Sequence, residues 1–403
     1  MLQRPLLAAA RHRLQGLPLD VVLWNGETLS SSNASSVKLT LNSRSALETL
    51  ARPTLGNLAK AYVNGDLDVS GNLNEAVALA ERFVGSDPAA DSPRAWWPRG
   101  TGSDKNSISR HYDVGNDFFA LWLDQNRVYS CAYFKRPEDT LDEAQIQKLD
   151  YICRKLVLKP DERFLDIGCG WGALIFHAVE HYRAQALGIT LSAEQFSYVQ
   201  SEIERRNLRS RCEVRLADYR TLDYPQSFDK IASVGMFEHV GRKNFPVYCE
   251  QIFRLLKPGG LLMNHGITAA HVNARGLGSG IGDFIEEYVF PGGELLHVSE
   301  VLRHMAAAGL ELRDAECLRP HYARTLDNWV RRLESNAARA RELVGEKAYR
   351  VWRIYMAGSA HGFARGWLSI FQLLAGKPWP DGTLPLPLTR DYIYSAEDRD
   401  SAR

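Results

Sequence analysis

Phe164-Leu165-Asp166-Ile167-Gly168-Cys169-Gly170-Trp171-Gly172 is the stretch that decides the fold. Arg163–Ile167 reads as a short buried strand. Alternate glycines then predict a turn, and the apolar run from about Gly172 to Tyr182 predicts a helix. Strand, glycine turn and helix, in that order, place a ligand outside the carboxyl end of a strand in a doubly wound sheet. Glycine lets the backbone come close to that ligand. Asp166, at the strand end, suits a ligand's amino group, directly or through water. The spacing is Gly-x-Gly-x-Gly rather than GxGxxG, and no Lys-Ser/Thr follows, which excludes a P-loop. The plainer reading of the stretch is a helix–sheet packing turn.

Upstream, Thr140-Leu141-Asp142-Glu143 is a capping box. It opens a helix with apolar positions at Leu141, Ala144, Leu149, Ile152 and Leu156. Downstream, strands are predicted at Ala186–Thr190, Cys212–Leu216, Phe228–Val234 and Gly260–His265. Helices lie between them, one opened by Ser192-Ala193-Glu194-Gln195. This alternation predicts an α/β fold with a mostly parallel sheet covered on both faces. Residues 268–297 are glycine-rich and aperiodic, a candidate lid or substrate insertion. Val298, Val301, Leu302 and Met305 mark a further helix, and the C-terminal third reads as mostly helical. Residues 1–85 form a smaller α+β unit, with alternating strands near 21–24 and 37–41 and helical spacing at Leu55, Leu58, Ala59 and Tyr62. The Pro/Gly/Ser-rich segment 86–107 reads as a linker, 108–385 as the main domain and 386–403 as a tail.

The 403 residues are 45% hydrophobic and 24% charged, as in an ordinary globular protein. Lys+Arg 49 against Asp+Glu 48 leaves a net charge of +1, which gives no argument for nucleic-acid binding. The six cysteines form no CxxC pair and fit no zinc spacing, so no metal is expected and free thiols in a reducing cytoplasm are. The N-terminal apolar run is too short for a secretory signal. No stretch reaches the roughly 18 apolar residues of a membrane span.

Several blocks together resemble the cyclopropane fatty acid synthase family, which includes the mycolic acid cyclopropane synthases. DIGCGWG at 166–172 is similar to the first motif of class I methyltransferases. The other blocks are HYDVGNDFF at 111–119, VYSCAYF at 128–134, GITLSAEQ at 188–195, SVGMFEHVG at 233–241, FPGGEL at 290–295 and HYARTL at 321–326. The likeness runs from about 108 to 375. It implies a class I S-adenosylmethionine-dependent methyltransferase fold. It further implies methyl transfer to the cis double bond of a phospholipid acyl chain, with loss of a proton and closure of a cyclopropane. A bound bicarbonate is the implied base. By position, its cage would be Cys131, Glu238, His265, Ile267 and Tyr322, with Cys131 and Ile267 acting through backbone groups. Tyr129, Ser130, Asp166, Gly168, Gly170, Thr190, Gln195, Asp218 and Tyr219 would hold S-adenosylmethionine. A transient cation favours aromatic walls, and Tyr112, Phe118, Phe119, Tyr129, Tyr133, Phe134 and Phe237 are nearby in sequence.

Each residue also has a plainer reading. Ser192 and Gln195 cap a helix, and the acidic residue usual at the end of the second strand is replaced by Thr190. Asp218 alone is a loop residue, and Tyr129 a core aromatic. Glu238 is equally a helix N-terminal carboxylate, His265 a strand-end histidine and Tyr322 a packing residue. His239 is left structural. The sequence departs from the bacterial pattern Leu-His-Thr-Ile-Gly at His265-Gly266-Ile267, where glycine replaces threonine, and near 360–367. Those departures leave ring closure, a methyl branch or another product open. An amine N-methyltransferase and a lipid-binding protein without activity are the competing classes. PTLGNLAKAYVNGDLDVSG at 53–71 resembles the lipid-docking domain of full-length synthases, although a dimerisation or stability role fits as well. The expected setting is cytoplasmic, peripheral at the inner membrane surface, with a homodimer implied by the family.

Overall fold

Period-two apolar spacing in the first 71 residues builds a four-stranded sheet in the computed structural model. Its strands are β1 (Leu19–Val22), β2 (Thr28–Ser30), β3 (Val37–Leu41) and β4 (Leu67–Gly71), in the order β2-β1-β3-β4. β1 runs parallel to β3; the other two pairings are antiparallel. The structure describes residues 3–30, 36–85, 115–272, 277–290 and 294–394. The expected linker (86–107), Tyr112, and the tail beyond 394 lie outside these residues, as do 273–276 and 291–293 of the expected insertion.

The described residues fall into two compact units. The smaller joins the N-terminal segment to two later pieces, within 274–292 and 323–367. The helix Leu55–Val63, predicted from its spacing, is N-capped by Thr54. Gly56 donates its N–H to the Ser279 carbonyl at 2.9 Å. A Cβ at Gly56 would stand 2.1 Å from the Gly280 carbonyl oxygen, so only glycine permits this approach. Tyr62, Val63, Phe284 and Val289 share a small core with Val351, Ile354 and Tyr355 from the helix Ala337–Arg365. Arg350 reaches the Tyr62 carbonyl (2.9 Å) and Asp68 (2.6 Å), and Glu81 pairs with His361 (2.9 Å).

The larger unit holds a seven-stranded sheet. Its strands are β5 (Arg163–Ile167), β6 (Gln185–Thr190), β7 (Cys212–Leu216), β8 (Phe228–Val234), β9 (Leu256–Ala269), β10 (Glu311–Cys317) and β11 (Leu368–Gly376). The order is β10-β11-β9-β8-β5-β6-β7. Strands β5 to β9 pair in parallel, while β11 lies antiparallel to both β9 and β10. Both faces are buried. Leu165, Ile231, Leu262 and Leu373 point into one core. Their chain neighbours Phe164, Ala232, Met263 and Leu374 point into the other. Two-sided burial explains the continuous apolar runs of these strands.

The C-terminal third is mostly helical, as expected, but two strands that were not expected, β10 and β11, lie within it. LSIFQLLAG at 368–376 is apolar without clear alternation, and such a run does not distinguish a doubly buried strand from a buried helix. The fifth strand of the parallel set does not end at His265. Pairing with β11 along Leu261–Ala269 extends β9 to Ala269.

The helix Leu141–Lys155 packs on Ala173–Tyr182 and carries residues of the site. Its capping box is complete, since the Thr140 side chain accepts from Glu143 N–H while Glu143 accepts from Thr140 N–H. Thr140→Ala should lower the free energy of unfolding by about 1 kcal/mol, measured by urea titration. No change would show that the cap is not limiting for this helix.

Candidate active site

Chain direction reverses next to β5. From β5 the chain passes to β6 and β7 on one side, then returns to β8 on the other. At such a switch point the loops beyond the carboxyl ends separate and leave a crevice. The turn after β5 has positive φ at Gly168 (82°), Gly170 (55°) and Gly172 (86°), which suits glycine and draws the backbone tightly around this crevice.

A cavity opens there, and all nine residues expected to hold the methyl donor line it. Gly168, Gly170 and buried Asp166 come from β5 and its turn. Thr190 and Gln195 come from the end of β6 and the next helix, and their side chains hydrogen-bond each other at 2.8 Å. Ser192 caps that helix through Gln195 N–H, so capping and pocket lining coexist. Asp218 and Tyr219 follow β7. The Asp218 carboxylate pairs with Arg220 at 2.6 Å and accepts from its backbone N–H.

Tyr129 and Ser130 reach the cavity on an irregular segment. Asp124 holds this segment by accepting from Asn126 N–H (2.9 Å) and Val128 N–H (2.8 Å). Tyr129 packs against Phe119 and Trp122, and Phe119 against Trp171. Phe118 and Phe119 are fully buried in this aromatic cluster. Phe134 is also buried, and its backbone N–H donates to His321 Nδ1 at 3.1 Å.

Gln145 and Lys148, which sequence reasoning missed, anchor the segment from the other side. Gln145 Nε2 donates to the Ser130 carbonyl (2.9 Å), and Lys148 Nζ donates to Ser130 Oγ (2.9 Å). Both are buried, and Lys148 lines the cavity. The signal was legible, because positions 141, 144, 145, 148, 149 and 152 form one helical stripe. A glutamine and a lysine inside an apolar stripe require a partner.

The five residues expected around a base form a second group that does not line this cavity. Glu238 sits in a short 3₁₀ turn, Phe237–His239, just past β8. Ile267 N–H on β9 donates to Glu238 Oε1 at 2.7 Å. His265 lies two residues earlier on β9, its side chain on the same face as that of Ile267, and its carbonyl accepts from Gly235 N–H at 2.8 Å. Glu238 Oε2 and His265 Nε2 are buried without a hydrogen-bond partner. Gln372 Nε2 stands 3.4 Å from His265 Nδ1. An amide N–H can only donate, which leaves the imidazole proton on Nε2.

Cys131 is buried, with Sγ 3.8 Å from the Leu318 carbonyl. Tyr322 N–H donates to that same carbonyl, and Leu318 N–H to Ile370 on β11, which is registered with Ile267. The Cys131 thiol and the Tyr322 backbone thus meet at the Leu318 carbonyl, and backbone pairing links that segment to β9 through β11. The Ile267 N–H is already engaged by Glu238. Phe237 packs on the opposite face of β9, where a Cβ at Gly266 would lie 2.3 Å from its ring. It therefore belongs to the core, whereas half-buried Tyr133 stacks between Tyr151 and His321. His239 lines the donor cavity instead of serving only as packing.

Burial pushes Glu238 up to about 7, partly opposed by the Ile267 N–H. It pushes Asp166 up to about 7, partly opposed by the Lys148 charge, and Lys148 down to about 8, opposed first by the Asp124 charge and more weakly by Asp166. Burial, with the nearby Lys148 and Lys155 charges, holds His265 well below the usual imidazole range, so it is neutral.

A family described as mycolic acid cyclopropane synthetase matches residues 100–373. A second, described as a domain of unknown function, matches 8–86. A probable fatty acid methyltransferase of Pseudomonas putida is 43% identical over 383 residues, covering 94% of this chain and 96% of that protein. The mycolic acid cyclopropane synthase CmaA1, solved with S-adenosylhomocysteine and CTAB, is 38% identical. The match covers 68% of this chain and 98% of CmaA1, with a TM-score of 0.64. Coclaurine N-methyltransferase, at 24% identity and a TM-score of 0.63 over 79% of this chain and 97% of its own, shares the fold. The switch-point cavity and these likenesses define a class I S-adenosylmethionine-dependent methyltransferase. Within that class, the chain belongs to the mycolic acid cyclopropane synthetase family.

The Glu238 shift has a checkable sign. A raised folded-state value means that the protonated carboxyl suits the fold, so its contribution is present at acid pH and is lost as pH rises through about 7. Glu238→Gln should therefore be more stable than the wild type above about pH 8, by up to on the order of 3 kcal/mol, with the gap closing toward about pH 5. Thermal melts across that range measure it. A gap that does not vary with pH would contradict a raised carboxyl.

Proposed function

We propose that this methyltransferase acts on the cis double bond of an unsaturated fatty acyl chain carried by a membrane phospholipid, and closes a cyclopropane. The observation that carries the reading is the buried pair of unpartnered atoms, Glu238 Oε2 in the turn whose His239 lines the donor cavity and His265 Nε2 on the adjoining strand β9.

An alkene is a weak nucleophile, and its methylation creates a cation that water would quench. Buried groups that still accept or donate one hydrogen bond suit a small anion held away from solvent. Bicarbonate fits: the neutral imidazole would donate through Nε2–H, and the Glu238 carboxylate would accept the anion's own O–H. Bound there, it would supply the base that removes a proton from the new methyl group. Ile267 N–H positions Glu238, and Gln372 sets the imidazole tautomer. Cys131 and Tyr322 are proposed to complete the cage. The nine cavity residues named above would hold S-adenosylmethionine, whose sulfonium supplies the methyl. The net change at the acyl chain is gain of CH₃⁺ and loss of H⁺.

Among the described residues no helix is long and apolar enough to cross a membrane. The proposed encounter with lipid is peripheral, at the inner face and from the cytoplasm, with the N-terminal segment as the docking element and a homodimer as the working assembly. The 43%-identical relative favours a second reading, a methyl-branched acyl product, because it is named a fatty acid methyltransferase.

Fatty-acid analysis of a host expressing this chain, fed methionine deuterated at the methyl group, separates the two. A cyclopropane keeps two deuterons, whereas loss of a chain proton instead gives a methyl-branched alkene that keeps three. Unchanged host lipids would remove the acyl reading. Glu238→Gln should leave S-adenosylmethionine affinity within about twofold and lower turnover by about 10²-fold or more. Equal turnover would take Glu238 out of the mechanism.

A further inference from the structure

Lys148 is a buried cation at the donor cavity, 2% exposed, and its role is not explained by packing. An ammonium has three N–H donors. One goes to Ser130 Oγ at 2.9 Å, and among the described residues no carboxylate pairs with Nζ. Asp166, 3% exposed, lines the same cavity with Oδ1 buried and unpartnered. Asp166 senses the Lys148 charge, and Lys148 senses buried Asp124 first and Asp166 as well, in neither case through a hydrogen bond. A buried cation and a buried anion held apart are costly unless something charged fits between them. The complementary species is a zwitterion, with a carboxylate for Lys148 and an ammonium for Asp166.

We infer that Lys148 is the carboxylate-binding residue for the amino-acid arm of the methyl donor, with Ser130 Oγ fixing the direction of its ammonium. The arm's carboxylate takes the two free N–H donors, and its ammonium faces Asp166. The helix Leu141–Lys155 thus does two things at one end of the cavity. Gln145 holds the Ser130 backbone, and Lys148 presents the charge. This assignment rests on the methyltransferase class and is independent of the acyl substrate.

Two other cations line the cavity, and Arg220 is already paired with Asp218 at 2.6 Å, which leaves Arg127 as the alternative. Its guanidinium lies 4.5 Å from the centre of the Tyr198 ring and is partly exposed. Water screens an exposed charge, so it would contribute less to binding a carboxylate than a buried one.

The test is calorimetric binding of three ligands to the full-length protein. These are S-adenosylhomocysteine, its decarboxylated analogue, and methylthioadenosine, which lacks the whole amino-acid arm. Lys148→Met should weaken S-adenosylhomocysteine by about 10- to 100-fold, the size of a lost charge-assisted hydrogen bond. It should change methylthioadenosine by less than about twofold on the same scale. Equal weakening of both ligands would make Lys148 a structural residue and overturn the assignment. A carboxylate-selective loss in Arg127→Met rather than Lys148→Met would transfer the role to Arg127. Should Lys148→Met not fold, the wild type and Arg127→Met decide. Both must bind the decarboxylated analogue at least about tenfold more weakly than S-adenosylhomocysteine, and a smaller loss in either overturns the inference. A protein that binds as expected yet leaves lipid unmodified would fail the acyl reading alone.

Discussion

One hydrogen bond organises the chemistry: Ile267 N–H of β9 to the carboxylate of Glu238 at 2.7 Å. It is made across the sheet edge, from a central strand to the turn after its neighbour. β9 can offer that N–H because pairing with β8 ends at His265, while β11 continues alongside to Ala269 and fixes the register. The same pairing fixes His265 two residues away and places Gln372 of β11 opposite it in register. Carboxylate, imidazole and the amide that orients the imidazole are therefore all referred to one backbone.

Much of this was legible in the sequence, for identifiable reasons. DIGCGWG at 166–172 located the switch-point turn because few structures other than a ligand-facing turn need glycine at three alternate positions after a buried strand. β5, β7 and β8 appear at their expected ranges, each a short apolar run bounded by turns or polar residues. The two antiparallel strands escaped detection. LSIFQLLAG lacks alternation because both of its faces are covered, and ELRDAEC at 311–317 is too polar to suggest a sheet. Lys148 and Gln145 were passed over because the stripe containing them was read for its apolar members alone. Their partners, Ser130 Oγ and the Ser130 carbonyl, lie 15 to 18 residues upstream, a relation that local spacing does not carry.

The two groups of functional side chains differ in how they meet their polar needs. Around the donor cavity most polar groups already pair with one another: Thr190 with Gln195, Asp218 with Arg220, and Ser130 with Lys148. Beyond β8 and β9, Glu238 and His265 each keep one buried atom unsatisfied. Such atoms cost free energy in an empty site, which is why they mark a place where a small polar guest belongs. Phe237 on the far face of β9, admitted by Gly266, closes the opposite side with hydrocarbon.

The smaller unit is assembled from distant parts of the chain. The helix Leu55–Val63 leans on Ser279 and Gly280, and Tyr62 receives Arg350 and Arg353 from nearly 300 residues away. During synthesis, the first 85 residues leave the ribosome long before these partners exist. Their sheet must wait with an incomplete core, or be sheltered, until translation passes residue 367. Vectorial, unit-by-unit maturation, which many longer chains use to avoid misassembly, is closed to this part of the protein.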